Sequence, residues 1–371
     1  MQRVSGKELF YLIFIYEIGS AILLDPAKGA MKDAWLAILL GFLAAIPLLL
    51  MYIALTKVSG KKTLTGILIF LLGKKAGSLV SFLYILYFLY ICSRVLRDFG
   101  ELLIITAYNE TFLIVISSFM MLTAMYFSIK PFKVIASAAA PMFYWITIPF
   151  VLVVMFEFMS GIVDVKEILP VAEHGPMPIL KTIFPTVLTF PFGEMVVFTM
   201  FYPLAEKGVR YIRITLLSVL ASVFVLSLTA FLHTAILGAK LTKNFIFPIL
   251  ATVSLINISD FIQRLDSLIV ILMIVVGFIK VLLFFFAAVK GTCEVTGTKN
   301  KVPVSVIYGI AIIFASLFIA STQYEHFQEG LSIVPLFLHV PFQIVIPALL
   351  LLGLWLKKKR KGSKHETFKE A

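Results

Sequence analysis

Apolar runs of membrane-spanning length recur along nearly the whole chain and leave few alternatives for its fold. A helix needs about 20 apolar residues to cross the hydrocarbon core of a bilayer. Ten such segments are read at roughly 9–29, 34–56, 78–105, 111–129, 138–160, 182–204, 213–238, 263–289, 303–321 and 334–356. Hydrophobic residues are 61% of the 371 and charged residues 14%. That is too little polar surface for a soluble domain and too much apolar material for disorder. The expectation is an all-α polytopic membrane protein, with residues 1–356 as one transmembrane domain and 357–371 as a basic, solvated tail. The stretch Leu64 to Leu72, between Lys61-Lys62 and Lys74-Lys75, is too short to span and reads as an interfacial helix. Phe245 to Ile258 reads as a loop helix packed on one face of the bundle.

The formal net charge of +12 would suggest a nucleic-acid partner in a soluble protein. Here the basic residues fall in short loops and the tail, so they report topology and no nucleic-acid partner is expected. With the amino terminus inside, the inner segments carry 22 Lys and Arg and the outer loops 6. Both termini are therefore predicted to be cytoplasmic, which requires an even number of spans. The run Lys357-Lys358-Lys359-Arg360-Lys361 reads as a solvated stop-transfer flank, with specific lipid binding as the alternative. Met1 to Gly6 is polar and the first apolar run continues as a helix, so no cleavable signal is expected. Cys92 is placed in a helix and Cys293 in a loop, without metal-ligand spacing. No Walker loop, catalytic triad or zinc cluster occurs, so neither an enzyme nor a cofactor is expected.

Two segments carry residues that interrupt a helix. The first has Glu17-Ile18-Gly19-Ser20-Ala21 near mid-membrane, and the sixth has Phe184-Pro185 and Phe190-Pro191-Phe192-Gly193-Glu194. Proline removes a backbone donor, and glycine admits dihedrals closed to other residues. Bare backbone at membrane depth is tolerated only inside protein or along a cavity. Breaks in corresponding segments five apart fit two inverted five-helix repeats with a binding site between them. Half-helix ends could hold the carboxylate and the ammonium of an amino acid. The alternative is that these are ordinary membrane-helix glycines and prolines, since the fifth and tenth segments also carry prolines.

The Gly19-Ser20-Ala21-Ile22 run resembles the first-helix break of the amino acid–polyamine–organocation permeases, and Phe190-Pro191-Phe192-Gly193-Glu194 resembles their sixth-helix break. A closer resemblance is to the spore germination permease-like family, the B subunits of nutrient germinant receptors. It rests on Val4-Ser5-Gly6-Lys7-Glu8-Leu9-Phe10, on Arg94-Val95-Leu96-Arg97-Asp98-Phe99-Gly100-Glu101, on Arg264-Leu265-Asp266, and on the order of the segments. Tyr108-Asn109-Glu110-Thr111 departs from it, where a proline-containing turn is expected. The resemblance implies a LeuT-like fold in the inner spore membrane. It also implies a small nutrient ligand, typically an amino acid, and two partners: a larger A-type membrane subunit and a C-type lipoprotein. A proton-coupled amino-acid transporter, and a scaffold with a vestigial pocket, are the alternatives.

Charges at bilayer depth are costly unless paired or facing water. Glu17 and Glu194 lie beside the two breaks. With Gly19, Ser20, Ala21, Phe190, Phe192 and Gly193 they form the candidate ligand site, in which Glu194 would hold an ammonium group or take a proton. The alternative is a carboxylate satisfied by a neighbouring helix. Phe190, Phe192 and Val187 would narrow the pocket and favour a small ligand. Arg94, Arg97, Asp98 and Glu101 share one helical face. They are expected to pair as Arg94–Asp98 and Arg97–Glu101, and to meet Arg264 and Asp266 across an outer gate; the alternative is direct contact with the ligand. Lys280 is expected to snorkel inward. The alternative, implied by the permease resemblance, is an ammonium standing where sodium-coupled members hold sodium. His233 and His339 read as packing positions, and Trp35 and Trp355 as interface anchors.

Overall fold

The structure is a computed structural model and describes residues 3–258 and 265–367. The described residues are almost entirely helical, with no strand beyond an isolated bridge between Val4 and Ala205. Among the described residues, seven helices are long and apolar enough to cross a membrane, or eight if the pair Val302–Phe318 and Gln323–Ile333, bent by 107°, counts as one span. Each of the ten apolar segments is mainly helical at its described residues. The three outside the seven fall short through a break and three charges (first), a length of 16 residues (fourth) and the bend (ninth). Phe119, Trp145, Phe224, Phe318 and Phe337 are each at least 68% exposed on the outside of the bundle, a surface that only lipid covers favourably.

Helix α1 (Gly6–Leu24) starts on a capping box: Ser5 Oγ accepts from the Glu8 amide, and the Glu8 carboxylate accepts from the Ser5 amide. Glu8 also binds Lys133 at 2.6 Å and Ser137 at 2.7 Å, which ties α1 to α5 (Phe132–Met159). Helix α2 spans Ala34–Val58. Helix α3 (Leu64–Thr106) contains the expected interfacial piece, set off by an elbow at Gly73 with φ 79°. A Cβ on Gly77 would lie 2.7 Å from the Leu68 carbonyl, so the elbow closes only over glycine. Lys357 donates to the Phe70 carbonyl at 2.9 Å, joining this piece to the last helix, which runs on to Thr367. After α3, Tyr108 to Thr111 closes a turn by the Thr111 amide on the Tyr108 carbonyl, without a proline.

Helix α4 spans Leu113–Ser128, and α5 begins directly after Pro131, six residues before the apolar run suggests. A short helix α6 (Pro176–Thr182) leads into the sixth segment, and α7 spans Tyr211–Leu237. The loop after α7 forms two short helices, α8 (Ala239–Asn244) and α9 (Pro248–Ser254). Helix α10 (Asp266–Thr296) lies at the centre, packed along α3 and against α1. It continues past the apolar run and therefore contains Cys293, which the sequence placed in a loop. The reason is polar: Lys290 and Glu294 pair at 2.5 Å four residues apart, Thr63 and Thr65 donate to Glu294, and Gly297 ends the helix at φ 75°. Helices α11 (Val302–Phe318), α12 (Gln323–Gln328) and α13 (Ile346–Thr367) complete the chain, the last two joined by wide π-type turns over Glu329–Val345.

Candidate functional site

Helix α1 loses its helical dihedrals at Gly19 (φ 13°, ψ −122°). The side chain of Lys280, from α10, crosses the chain there: a Cβ on Gly19 would lie 2.7 Å from Lys280 Cδ. The sixth segment is helical to Thr189, turns at Phe190-Pro191, and resumes as a tight helix over Phe192–Met200. The two breaks meet through an ion pair. Lys280 Nζ stands 2.5 Å from Glu194 Oε2, with the side chains 0% and 3% exposed. The same ammonium lies 4.7 Å from the centre of the Phe190 ring and 5.3 Å from that of Tyr16.

The backbone freed by the sixth-segment break is not bare. Tyr16 donates to the Glu194 carbonyl at 2.9 Å. Tyr52 reaches the Gly193 carbonyl at 3.0 Å and the Gln343 carbonyl at 2.8 Å. Gln343 donates to Tyr87 Oη, which also meets His339 Nδ1 at 2.8 Å. Buried hydroxyls thus satisfy the carbonyls that a helix would otherwise occupy. The side chains are less complete. Ser20 Oγ and both Glu17 oxygens are buried and find no hydrogen-bond partner among the described residues.

A small cavity of about 40 Å³ lies beside the ion pair, lined by Ser20, Phe190, Glu194, Arg94, Asp98, His326 and His339 among apolar neighbours. It is water-sized, and a ligand of several heavy atoms does not fit until the walls part. Phe327 and Leu331 line both this cavity and an outer basin of about 490 Å³ that also presents Lys28, Lys181 and Lys243. These two side chains therefore form a plug between basin and cavity. The plug is clipped down: Asp98 Oδ1 meets His326 Nε2 at 2.8 Å, Arg94 reaches Glu329 at 3.7 Å, and Arg94 also donates to the His326 carbonyl.

A family model described as "Spore germination protein" matches residues 3–324. Spore germination protein KB of Bacillus subtilis (strain 168) is 34% identical over 99% of both chains. The chain belongs to the spore germination protein family. Other members lie further off: GerQB of Bacillus cereus is 24% identical over 86% of each chain, and YndE of B. subtilis 21% identical over 97% of this chain and 98% of its own.

In this family member the structure brings Gly19, Ser20, Phe190 and Glu194 together as the sequence suggests. Ala21, Phe192 and Gly193 are buried in packing instead of lining the cavity: Phe192 sits against Phe42, and a Cβ on Gly193 would collide with Gln343. Val187 is buried against Gly41 and does not narrow the cavity. Glu17 is buried one turn from Ser20, outside the lining.

Three expectations are corrected. Lys280 does not snorkel inward, because a carboxylate and two aromatic faces hold its ammonium at the breaks. Arg94 and Asp98 do not pair with each other; better-directed partners, Glu329 and His326, arrive from the segment after α11. Asp266 makes no ion pair with the stripe among the described residues, and Arg264 lies outside them. The Arg97–Glu101 pair forms at 3.5 Å, and Arg97 also caps the end of α11 through the carbonyls of Ser316, Leu317 and Ala320. His339 Nδ1 meets Tyr87, and His233 Nδ1 meets Asp25 at 3.2 Å, while His233 Nε2 is buried without a hydrogen-bond partner among the described residues. Sequence reasoning missed His326, Tyr16, Tyr52 and Gln343. For His326 the signal was a polar run, Gln323 to His326, placed between two apolar segments.

Proposed function

We propose that this chain is the nutrient-binding B-type subunit of a spore germinant receptor, built as ten spans in two inverted repeats, and that it takes a small amino acid at the breaks of segments one and six. The observation that carries the reading is the fully buried Lys280–Glu194 pair, which spans both breaks beside a small cavity. Glu194 already holds an ammonium, the protein's own. A ligand ammonium has the same chemistry and can replace it. In the same lining Arg94 offers a guanidinium whose partner carboxylate, Glu329, is 3.7 Å away. A ligand carboxylate makes a closer, two-pronged partner for it.

A zwitterion would thus exchange two internal ion pairs at once. Releasing Lys280 frees α10 from the sixth segment. Releasing Glu329 loosens the Phe327–Leu331 plug. Ligand would favour the arrangement in which both pairs are exchanged, and that difference in affinity is the signal available to an A-type subunit and a C-type lipoprotein. The test is binding and uptake of labelled amino acids by the protein in liposomes. Saturable binding without uptake, weakened in Arg94→Gln and Glu194→Gln, supports the sensor. Uptake driven by a proton gradient would favour a transporter, and no binding across an amino-acid panel would leave only a scaffold.

A further inference from the structure

A second concave site lies at the start of α1, away from the nutrient cavity, and no part of the proposed function uses it. It is a groove of about 1060 Å³ between the first turns of α1, the loop before α7, and α5. Its rim carries Lys7, Lys207, Arg210 and Arg213, all exposed, against Glu206 as the one acid among the lining residues. None of the four cations makes an ion pair among the described residues. Acids elsewhere at this end are taken: Glu8 is held by Lys133 and Ser137.

The groove changes character with depth. Phe10, Tyr11 and Phe143 line its far part, with Tyr11 and Phe143 ring centres 4.8 Å apart. The next residues on α5, Tyr144 and Trp145, are 53% and 68% exposed on the lipid-facing side. From Lys7 to Tyr11 is about 6 Å along the helix, the step from headgroup to upper acyl chain. Its floor is a close approach of α1 to α7, where a Cβ on Gly6 would lie 2.7 Å from Ile214 Cδ1.

Unpaired positive charge above an aromatic, lipid-accessible wall is complementary to a molecule with an anionic head and an apolar tail. We propose that this groove is a binding site for an anionic phospholipid, its phosphate held by Arg210 and Arg213 with Lys7 and Lys207 beside them, and its acyl chain laid along Phe10, Tyr11 and Phe143. The site stands apart from the nutrient reading and holds whichever leaflet the amino terminus faces.

Native mass spectrometry of the full chain, released from bilayers of equal phosphatidylglycerol and phosphatidylcholine, tests it. Retained phosphatidylglycerol is expected, with Arg210→Gln/Arg213→Gln lowering its preference over phosphatidylcholine about thirtyfold. Arg210→Lys/Arg213→Lys should keep most of the preference, and Lys240→Gln/Lys243→Gln, on the outer loop, all of it. Equal retention of both lipids would overturn the proposal. So would displacement of the lipid by millimolar glycerol phosphate or inorganic phosphate, which would mark a free-anion site. Cross-linking of a cysteine at position 210 to another protein chain in native membranes, with no lipid retained, would overturn it in favour of protein docking.

Discussion

Replacing Lys280 by methionine should be among the most damaging single changes available in this bundle. The lysine side chain is 0% exposed and its partner Glu194 3%. Methionine fills nearly the same volume, so the loss is of charge rather than packing. Once the ammonium is gone, Glu194 is a buried carboxylate without a cation, and Glu17, buried with both oxygens unpartnered, lies on the adjoining helix. Removing one member of a buried pair costs about 3–5 kcal/mol, whereas an exposed pair is worth about 0–1 kcal/mol. Glu194→Gln alone strands the ammonium and should cost a comparable amount. The double variant Lys280→Met/Glu194→Gln leaves no unpaired charge in the pair, and should be more stable than either single variant, a coupling larger than one single cost, that is above about 3 kcal/mol. Denaturant titration of all four proteins in mixed micelles measures the cycle. A Lys280→Met cost below about 1 kcal/mol, with the double variant at the sum of the singles, would refute the reasoning.

Three further outcomes follow from the same geometry. Gly19→Ala places a methyl 2.7 Å from Lys280 Cδ, so the lysine stem must move; a cost of about 1–3 kcal/mol and a weakened ligand response at normal protein level are expected, read by thermal unfolding and binding. Asp98→Asn and His326→Gln each cut the clip that holds the plug; both should speed access of a thiol reagent to a cysteine placed at Ser20, and an unchanged rate would remove the plug. In the loop after α5, a hydrogen bond from Lys32 and its charge hold the Glu173 carboxyl below its usual value. That contact stabilises the loop above the ordinary carboxylate pKa and is lost as the pH falls through the lowered one. Proteolysis between residues 161 and 175 should therefore rise on acidification, and Lys32→Gln should abolish the pH dependence.

What the sequence made legible was local. Gly19 and Phe190-Pro191 break their helices for reasons contained in a few residues, namely a missing Cβ atom and a missing donor. The elbow at Gly73 was legible in the same way, from a short apolar run between lysine pairs. What stayed hidden was pairing between distant segments. Lys280 and Glu194 are 86 positions apart, and nothing in either run shows which faces the other. The partners of Arg94 and Asp98 were misjudged because i,i+4 spacing is visible in sequence, while the 107° bend that delivers His326 and Glu329 is not. The hydroxyls of Tyr16 and Tyr52 were hidden for a related reason, since a tyrosine in an apolar run looks like core until the carbonyl it reaches is known.

Germination of spores carrying this receptor alone, recorded against ligand concentration with Glu194 intact or changed to Gln, is the most direct measurement. Loss of a charge-assisted contact to the ligand ammonium should raise the half-maximal concentration about tenfold to hundredfold when spores are matched for the amount of assembled receptor. An unchanged dose-response would mean that the meeting point of the two broken helices does not hold the nutrient.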